Sequence, residues 1–259
     1  MLRPRIIPML LVQDKGLVKT IKFKDAKYVG DPLNAVKIFN EKEVDELIIL
    51  DIDATVKNKN PDLLTIQHWA SECRMPLCYG GGVSSVKQIQ EIISLGVEKV
   101  AINTSALLNP DIINQAASLV GNQSIVVVID CKKRKFSKHY DIYFQNGKKK
   151  YNIELLSWIL EVEKRGAGEI IINSIDKDGL MSGYDMELIR LVKKNVSIPV
   201  TALGGCGSLN DMKDLINEFS IIGAGAGSMF VFKGRFKAVL INYPSKIEKL
   251  SLLNDEKNL

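Results

Sequence analysis

Two glycine-rich turns lie 123 residues apart, Gly81-Gly82-Val83-Ser84-Ser85 and Gly204-Gly205-Cys206-Gly207-Ser208, each following an apolar run opened by a proline, Pro76 or Pro199. The same offset puts Glu46 on Glu169, Asp53 on Asp176, and the Ala101–Ser105 segment on Ala224–Ser228. A repeat of this length marks a fused duplication of a half-domain of about 120 residues. Each half ends a strand in a turn that opens a helix. That geometry aims free backbone N–H groups and a helix dipole at an anion. Two such turns imply two anion sites, and the simplest ligand to use both is a small molecule carrying a phosphate at each end.

Short β-rich runs alternate with amphipathic stretches. The pattern predicts strands near Ile6–Val12, Glu46–Asp51, Leu77–Tyr79, Lys99–Ile102, Ser124–Asp130, Glu169–Ser174, Val200–Leu203 and Ile221–Ala224. Helical periodicity falls at Pro32–Lys42, Ser84–Ser94, Pro110–Leu119, Ile153–Lys164, Met186–Lys194 and Asn210–Glu218. Eight such units predict a single α/β (β/α)8 TIM barrel over residues 1–259, with half-barrels at about 1–123 and 124–245. An open doubly wound sheet is the alternative, and it explains the two-copy symmetry less well. Residues 131–151 break the alternation. They hold an Asn146-Gly147 turn between extended pieces, which predicts a hairpin insertion on the loop face after the fifth strand.

The chain carries a formal net charge of +5, with basic runs at Lys132-Lys133-Arg134-Lys135 and Lys148-Lys149-Lys150. These read as a solvated surface or as a rim attracting a phosphorylated substrate or acidic partner. No aromatic-interleaved basic stripe argues for nucleic acid. Four cysteines without a C-x-x-C pair fit a reducing cytoplasmic setting. With only His68 and His139 in the chain, no metal site is expected, and no cofactor is implied. No secretory leader or membrane span is predicted.

In a barrel, functional acids are sought where strands end, and Asp51, Asp130, Asp176 and Asp178 fall there. Asp130 closes an apolar run and is the candidate general acid or base, with a loop cap or a pairing with nearby lysines as the alternative. Asp178-Gly179 suggests a turn feeding a phosphate nest, and Asn103-Thr104 and Gly227-Ser228 offer phosphate donors. Arg5, Glu46, Lys99 and Glu169 instead fall at strand beginnings. There they cluster across the barrel floor, as a structural salt-bridge layer or something more specific.

Several segments together resemble the cyclase subunit (HisF) of imidazole glycerol phosphate synthase. They are Arg5-Ile6-Ile7-Pro8, Gly30-Asp31-Pro32, Asp45-Glu46-Leu47, Gly80-Gly81-Gly82, Glu98-Lys99-Val100-Ala101-Ile102-Asn103-Thr104, Ser174-Ile175-Asp176-Lys177-Asp178-Gly179 and Ser182-Gly183-Tyr184-Asp185. The resemblance runs from Arg5 to about Phe232. It implies a barrel that receives ammonia through its axis from a HisH-type glutaminase docked on its floor. It further implies that Arg5, Glu46, Lys99 and Glu169 form the gate, that Glu98 contacts the glutaminase, and that Lys19, Gly82, Asn103, Thr104, Asp178, Gly179, Gly204, Gly205, Gly227 and Ser228 serve substrate or phosphate.

The departures are specific. The family's first strand ends in Cys-Leu-Asp-Val, whose aspartate works with the one matching Asp130. Here the stretch is Met9-Leu10-Leu11-Val12. Asn173 and Leu203 replace small hydroxyl residues near the second phosphate turn, and Thr20 replaces a glycine beside Lys19. This combination resembles a HisF-like branch associated with surface-polysaccharide gene clusters. That resemblance implies a conduit passing ammonia to a separate amidotransferase for sugar amidination. A non-catalytic scaffold and a stand-alone sugar-phosphate isomerase of the barrel superfamily are the competing functions.

Overall fold

The computed structural model describes residues 3–253. Eight parallel strands close into a barrel: β1 (Arg5–Gln13), β2 (Leu47–Asp51), β3 (Leu77–Gly80), β4 (Lys99–Ile102), β5 (Ile125–Lys133), β6 (Glu169–Ser174), β7 (Val200–Leu203) and β8 (Gly223–Ala226). Each pairs with the next, and β8 returns to β1 through Arg5↔Gly223 and Pro8↔Ala226. The strands are near-continuous apolar runs because a parallel barrel buries both faces, one against the outer helices and one in the barrel axis. A separate inner cluster fills that axis with Ile7, Met9, Ile48, Cys78, Ala101, Val126, Val128 and Ile171.

The repeat is visible element by element. Helix α1 (Pro32–Glu41) is followed by α2 (Leu63–Glu72), α3 (Val86–Ser94), α4 (Asp111–Val120), α5 (Leu155–Lys164), α6 (Met186–Asn195) and α7 (Leu209–Phe219). Displacing α2 by 123 residues gives the bounds of α6, and the same displacement carries β3 onto β7. The caps repeat too. Asp62 and Asp185 each accept the N–H three residues on, while Ser85/Gln88 and Ser208/Asp211 form reciprocal capping boxes. These boxes fix the helix entry immediately after each glycine turn, and so hold the turn in place.

Two sequence expectations shift. The eighth strand lies at Gly223–Ala226 rather than Ile221–Ala224, because pairing with β1 fixes its register over the β-branched preference of Ile221 and Ile222. A side chain at Gly223 would come within 1.9 Å of Thr201 Oγ1, so only glycine fits that close approach. The insertion is a three-stranded ribbon: the extended end of β5 pairs antiparallel with Tyr140–Phe144, which pairs with Lys149–Tyr151. Of the extended piece expected before the Asn-Gly turn, Tyr140–Phe144 is a strand, while residues 136–139 form the outer turn, with Phe136 at φ +56°. The second turn, at Asn146-Gly147, is where expected. No described helix is long and apolar enough to cross a membrane.

Candidate functional site

The ends of the strands surround a mouth cavity of about 410 Å³. Lys19, Gly82, Asn103, Thr104, Asp130, Asp178, Gly179, Gly204, Gly205, Gly227 and Ser228 all line it, together with Leu11, Leu50, Asp51, Asn173 and Leu203. Asp176 does not. Its carboxylate accepts the Lys133 N–H at 2.8 Å outside the cavity, where it pins the base of the ribbon. The two glycine turns adopt left-handed backbone, with Gly81 at φ +123° and Gly204 at φ +92°. A side chain on either would drive into the carbonyl of the preceding repeat-equivalent position, 2.3 Å from Asp51 O or 2.6 Å from Ser174 O.

Asp130 is buried, lines this cavity, and accepts Nδ2 of Asn103 at 2.7 Å and Nδ2 of Asn173 at 2.9 Å. Burial pushes its carboxyl up to about 7, against the downward pull of these two amides. Such a group exchanges a proton near neutrality, as general acid/base chemistry requires. The clamp has a cost: Oδ1 of Asn103 and Oδ1 of Asn173 are both buried without a hydrogen-bond partner among the described residues. Leu11 sits beside Leu50 in the β1–β2 register, just as Asp130 sits beside Asn173 in the β5–β6 register. The Leu11–Leu50 pair of strand ends is therefore hydrocarbon, the Asp130–Asn173 pair carries an amide-clamped acid, and Asp51 is a second acid lining the cavity.

Lys19 is buried, donates to Met9 O at 2.6 Å, and stands against Gly227, where a side chain would lie 2.6 Å from Nζ. Burial pushes its ammonium down to about 8, while Asp178 pulls the other way. With one acceptor for three N–H donors, Lys19 keeps donors spare beside Gly227.

The Asp178 side chain has a local role beside the cavity. Its Oδ2 accepts the Thr20 hydroxyl at 3.0 Å and the Phe23 N–H at 3.2 Å, and its carbonyl accepts the Lys22 N–H at 3.1 Å. The carboxylate is thus committed to latching the ribbon of Gly16–Ile21 and Lys24–Gly30 over the mouth. From the opposite side the Asn146-Gly147 turn reaches across, with Asn146 Nδ2 donating to Ile52 O at 2.5 Å and the Gln145 N–H to Thr104 Oγ1 at 3.3 Å. Phe23 packs on Gly147 between the two ribbons. Neither Phe23 nor Asn146 is a site residue on the sequence alone, and Thr20 stands out there only as the residue beside Lys19. The Asn-Gly turn was the available signal for one of them.

At the opposite end, Arg5 bonds both Glu46 and Glu169, the latter at 2.7 Å, and Lys99 bonds both carboxylates at 2.8 Å. Thr201 adds a donor to Glu169 at 2.5 Å. Burial alone would raise Glu169, but the charges and hydrogen bonds of Arg5 and Lys99 outweigh it and hold the carboxyl well below the usual range. The four form one closed, alternating ring under the apolar axis. Glu98 stands outside it. Its side chain accepts the Leu77 N–H at 2.6 Å, while the residue remains exposed.

This fold and site define a (β/α)8-barrel protein with its cavity at the C-terminal ends of the strands, the position where barrel enzymes work. The sequence pattern described as histidine biosynthesis protein matches residues 5–237. A Leptospira borgpetersenii protein provisionally named as an imidazole glycerol phosphate synthase subunit HisF is 54% identical over 252 residues, 97% of this chain and 99% of its own. A Vibrio vulnificus protein, provisionally named subunit hisF3 of the same enzyme, is 53% identical over 253 residues, 98% of this chain and 97% of its own. The imidazole glycerol phosphate synthase subunit HisF of Lactococcus lactis subsp. cremoris is 39% identical over 230 residues, 89% of each chain. The chain belongs to the histidine biosynthesis protein family, in the company of HisF subunits.

Proposed function

We propose that this protein is the barrel subunit of a glutamine amidotransferase pair. A HisH-type glutaminase docks on the floor, ammonia enters at the Arg5–Glu46–Lys99–Glu169 ring, and the apolar axis leads it to Asp130. The observation that carries this is the ring itself. A buried ion quartet at one end of an apolar axis costs desolvation that a well-packed hydrophobic layer would avoid. Its persistence beneath a cavity holding an acid poised near neutrality fits a gate. At the mouth, the turns at Gly82 and Gly205, with Asn103, Thr104, Gly227 and Ser228, would hold the anionic ends of a phosphorylated substrate. Lys19 would add charge at the second.

The chemistry at the mouth has two forms. In the HisF reaction, imidazole glycerol phosphate formation in histidine biosynthesis, Asp130 would act with an acid on the first strand. Leu11 cannot transfer a proton, and its neighbour Leu50 offers none either. The hydrocarbon pair at that position favours the second form, in which ring closure is weak and ammonia passes to a separate amidotransferase acting on a sugar in surface-polysaccharide synthesis. The pairing is tested by purifying the chain with a HisH-type glutaminase. Co-elution and faster glutamine hydrolysis are expected. Independent elution with unchanged hydrolysis removes the ammonia reading in both forms.

A further inference from the structure

The ribbon at 131–151 holds eight Lys/Arg against one Asp, whereas the rest of the chain holds 27 Lys/Arg against 29 Asp/Glu. The whole positive excess of the protein thus resides in one surface insertion. Among the described residues only Lys133, Arg134 and Lys150 of these cations pair with a carboxylate, leaving Lys132, Lys135 and Lys138 exposed and unpaired around the outer turn. At the apex of that turn Phe136 is fully exposed, at 106%, on left-handed backbone that a non-glycine residue adopts at a cost. An exposed aromatic is the kind of side chain enriched at interfaces, and a collar of cations around it complements an acidic partner surface. The same ribbon then turns back through Gln145 and Asn146 to form part of the cavity roof.

We propose that the outer turn is a docking site for a partner protein presenting an acidic segment whose apolar side chains pack against Phe136. It lies on the mouth side, away from the ring, and holds whichever reaction the mouth supports. Protein is favoured over single-stranded nucleic acid because the latter tracks a row of stacking platforms. Here Tyr140 and Phe144 are buried and Tyr143 and Tyr151 half-buried, so one aromatic stands free.

The test measures binding, at physiological ionic strength, of a Glu-rich peptide carrying a Leu-Leu pair, a polyuridine oligonucleotide and phosphatidylserine vesicles. The full chain is compared with Phe136→Ser, with the triple variant Lys132→Glu/Lys135→Glu/Lys138→Glu, and with a control triple at exposed sites elsewhere, Lys42→Glu/Lys164→Glu/Lys213→Glu. Melting temperature and sulfate binding at the mouth verify that each variant is folded. The peptide should bind best, and each ribbon variant should weaken it about tenfold while the control leaves it unchanged. Tighter binding of oligonucleotide or vesicles, equal loss in the control triple, or no peptide binding overturns the proposal.

Discussion

The two halves of the barrel repeat in their element bounds and differ in chemistry at one pair of strand ends in the mouth. In the first, Leu11 faces Leu50; in the second, Asp130 faces Asn173. Both pairs occupy the first two strands of their half-barrel, and their glycine turns and capping boxes repeat. A duplicated scaffold thus keeps what the backbone does, aiming N–H groups at an anion, while letting side chains at the strand ends diverge. The ring below teaches the converse. Arg5, Glu46 and Lys99 come from the first half and Glu169 from the second, so its charge balance needs both.

Breaking the ring has the largest expected effect on stability. Glu169→Ala leaves Arg5 and Lys99 sharing one carboxylate in a buried setting, and should cost about 3 kcal/mol or more in urea unfolding. The loss should be greatest above the acid range, since a depressed carboxyl contributes its stability above its unfolded value and loses it as pH falls. A cost below about 1 kcal/mol would mean that the ring behaves as an exposed surface pair.

Making the halves alike has a middling effect. Asn173→Leu copies the first half into the second and removes an amide that lowers Asp130, so its carboxyl should titrate above about 7. Because that carboxyl is already raised on folding, the wild type should lose stability as pH rises from about 4 to about 7, and Asp130→Asn should abolish this slope. Melting curves across that range check the sign. A wild-type melting temperature that rises over the same interval would contradict it.

The smallest effect separates the two anion turns. With Leu203 and Asn173 beside the second turn, sulfate should bind more tightly at Gly82 and Asn103 than at Gly205 and Gly227, by several-fold. Crystals grown in sulfate would show it, and occupancy confined to the second turn would reverse the ranking.

The barrel was legible because its periodicity and repeat agree. Helix α2 was not read, although its repeat partner α6 was. Its apolar residues spread around the axis, with Leu64 at 72% exposure, so periodicity fails where the 123-residue offset succeeds. The ribbon after β1 escaped for a different reason: its turn places Lys22 and Phe23 at φ +50° and +63° with no glycine or asparagine to announce it. Asp178 compensates by accepting the Phe23 N–H, a contact 155 residues away in sequence that no local pattern contains. The ring residues were found because each stands at a strand beginning, but only their geometry shows that both cations bridge both acids.

The split mouth is tested by supplying the ribulosyl-formimino substrate of the histidine pathway with ammonium salt, which bypasses the glutaminase and the gate. Wild type should close the ring at close to the background rate. Leu11→Asp should gain about 10²–10⁴ by restoring an acid opposite Asp130. Fast turnover by the wild type, unimproved by Leu11→Asp, would contradict this by showing that Leu11 does not limit the chemistry and that another acid lining the cavity, such as Asp51, serves instead.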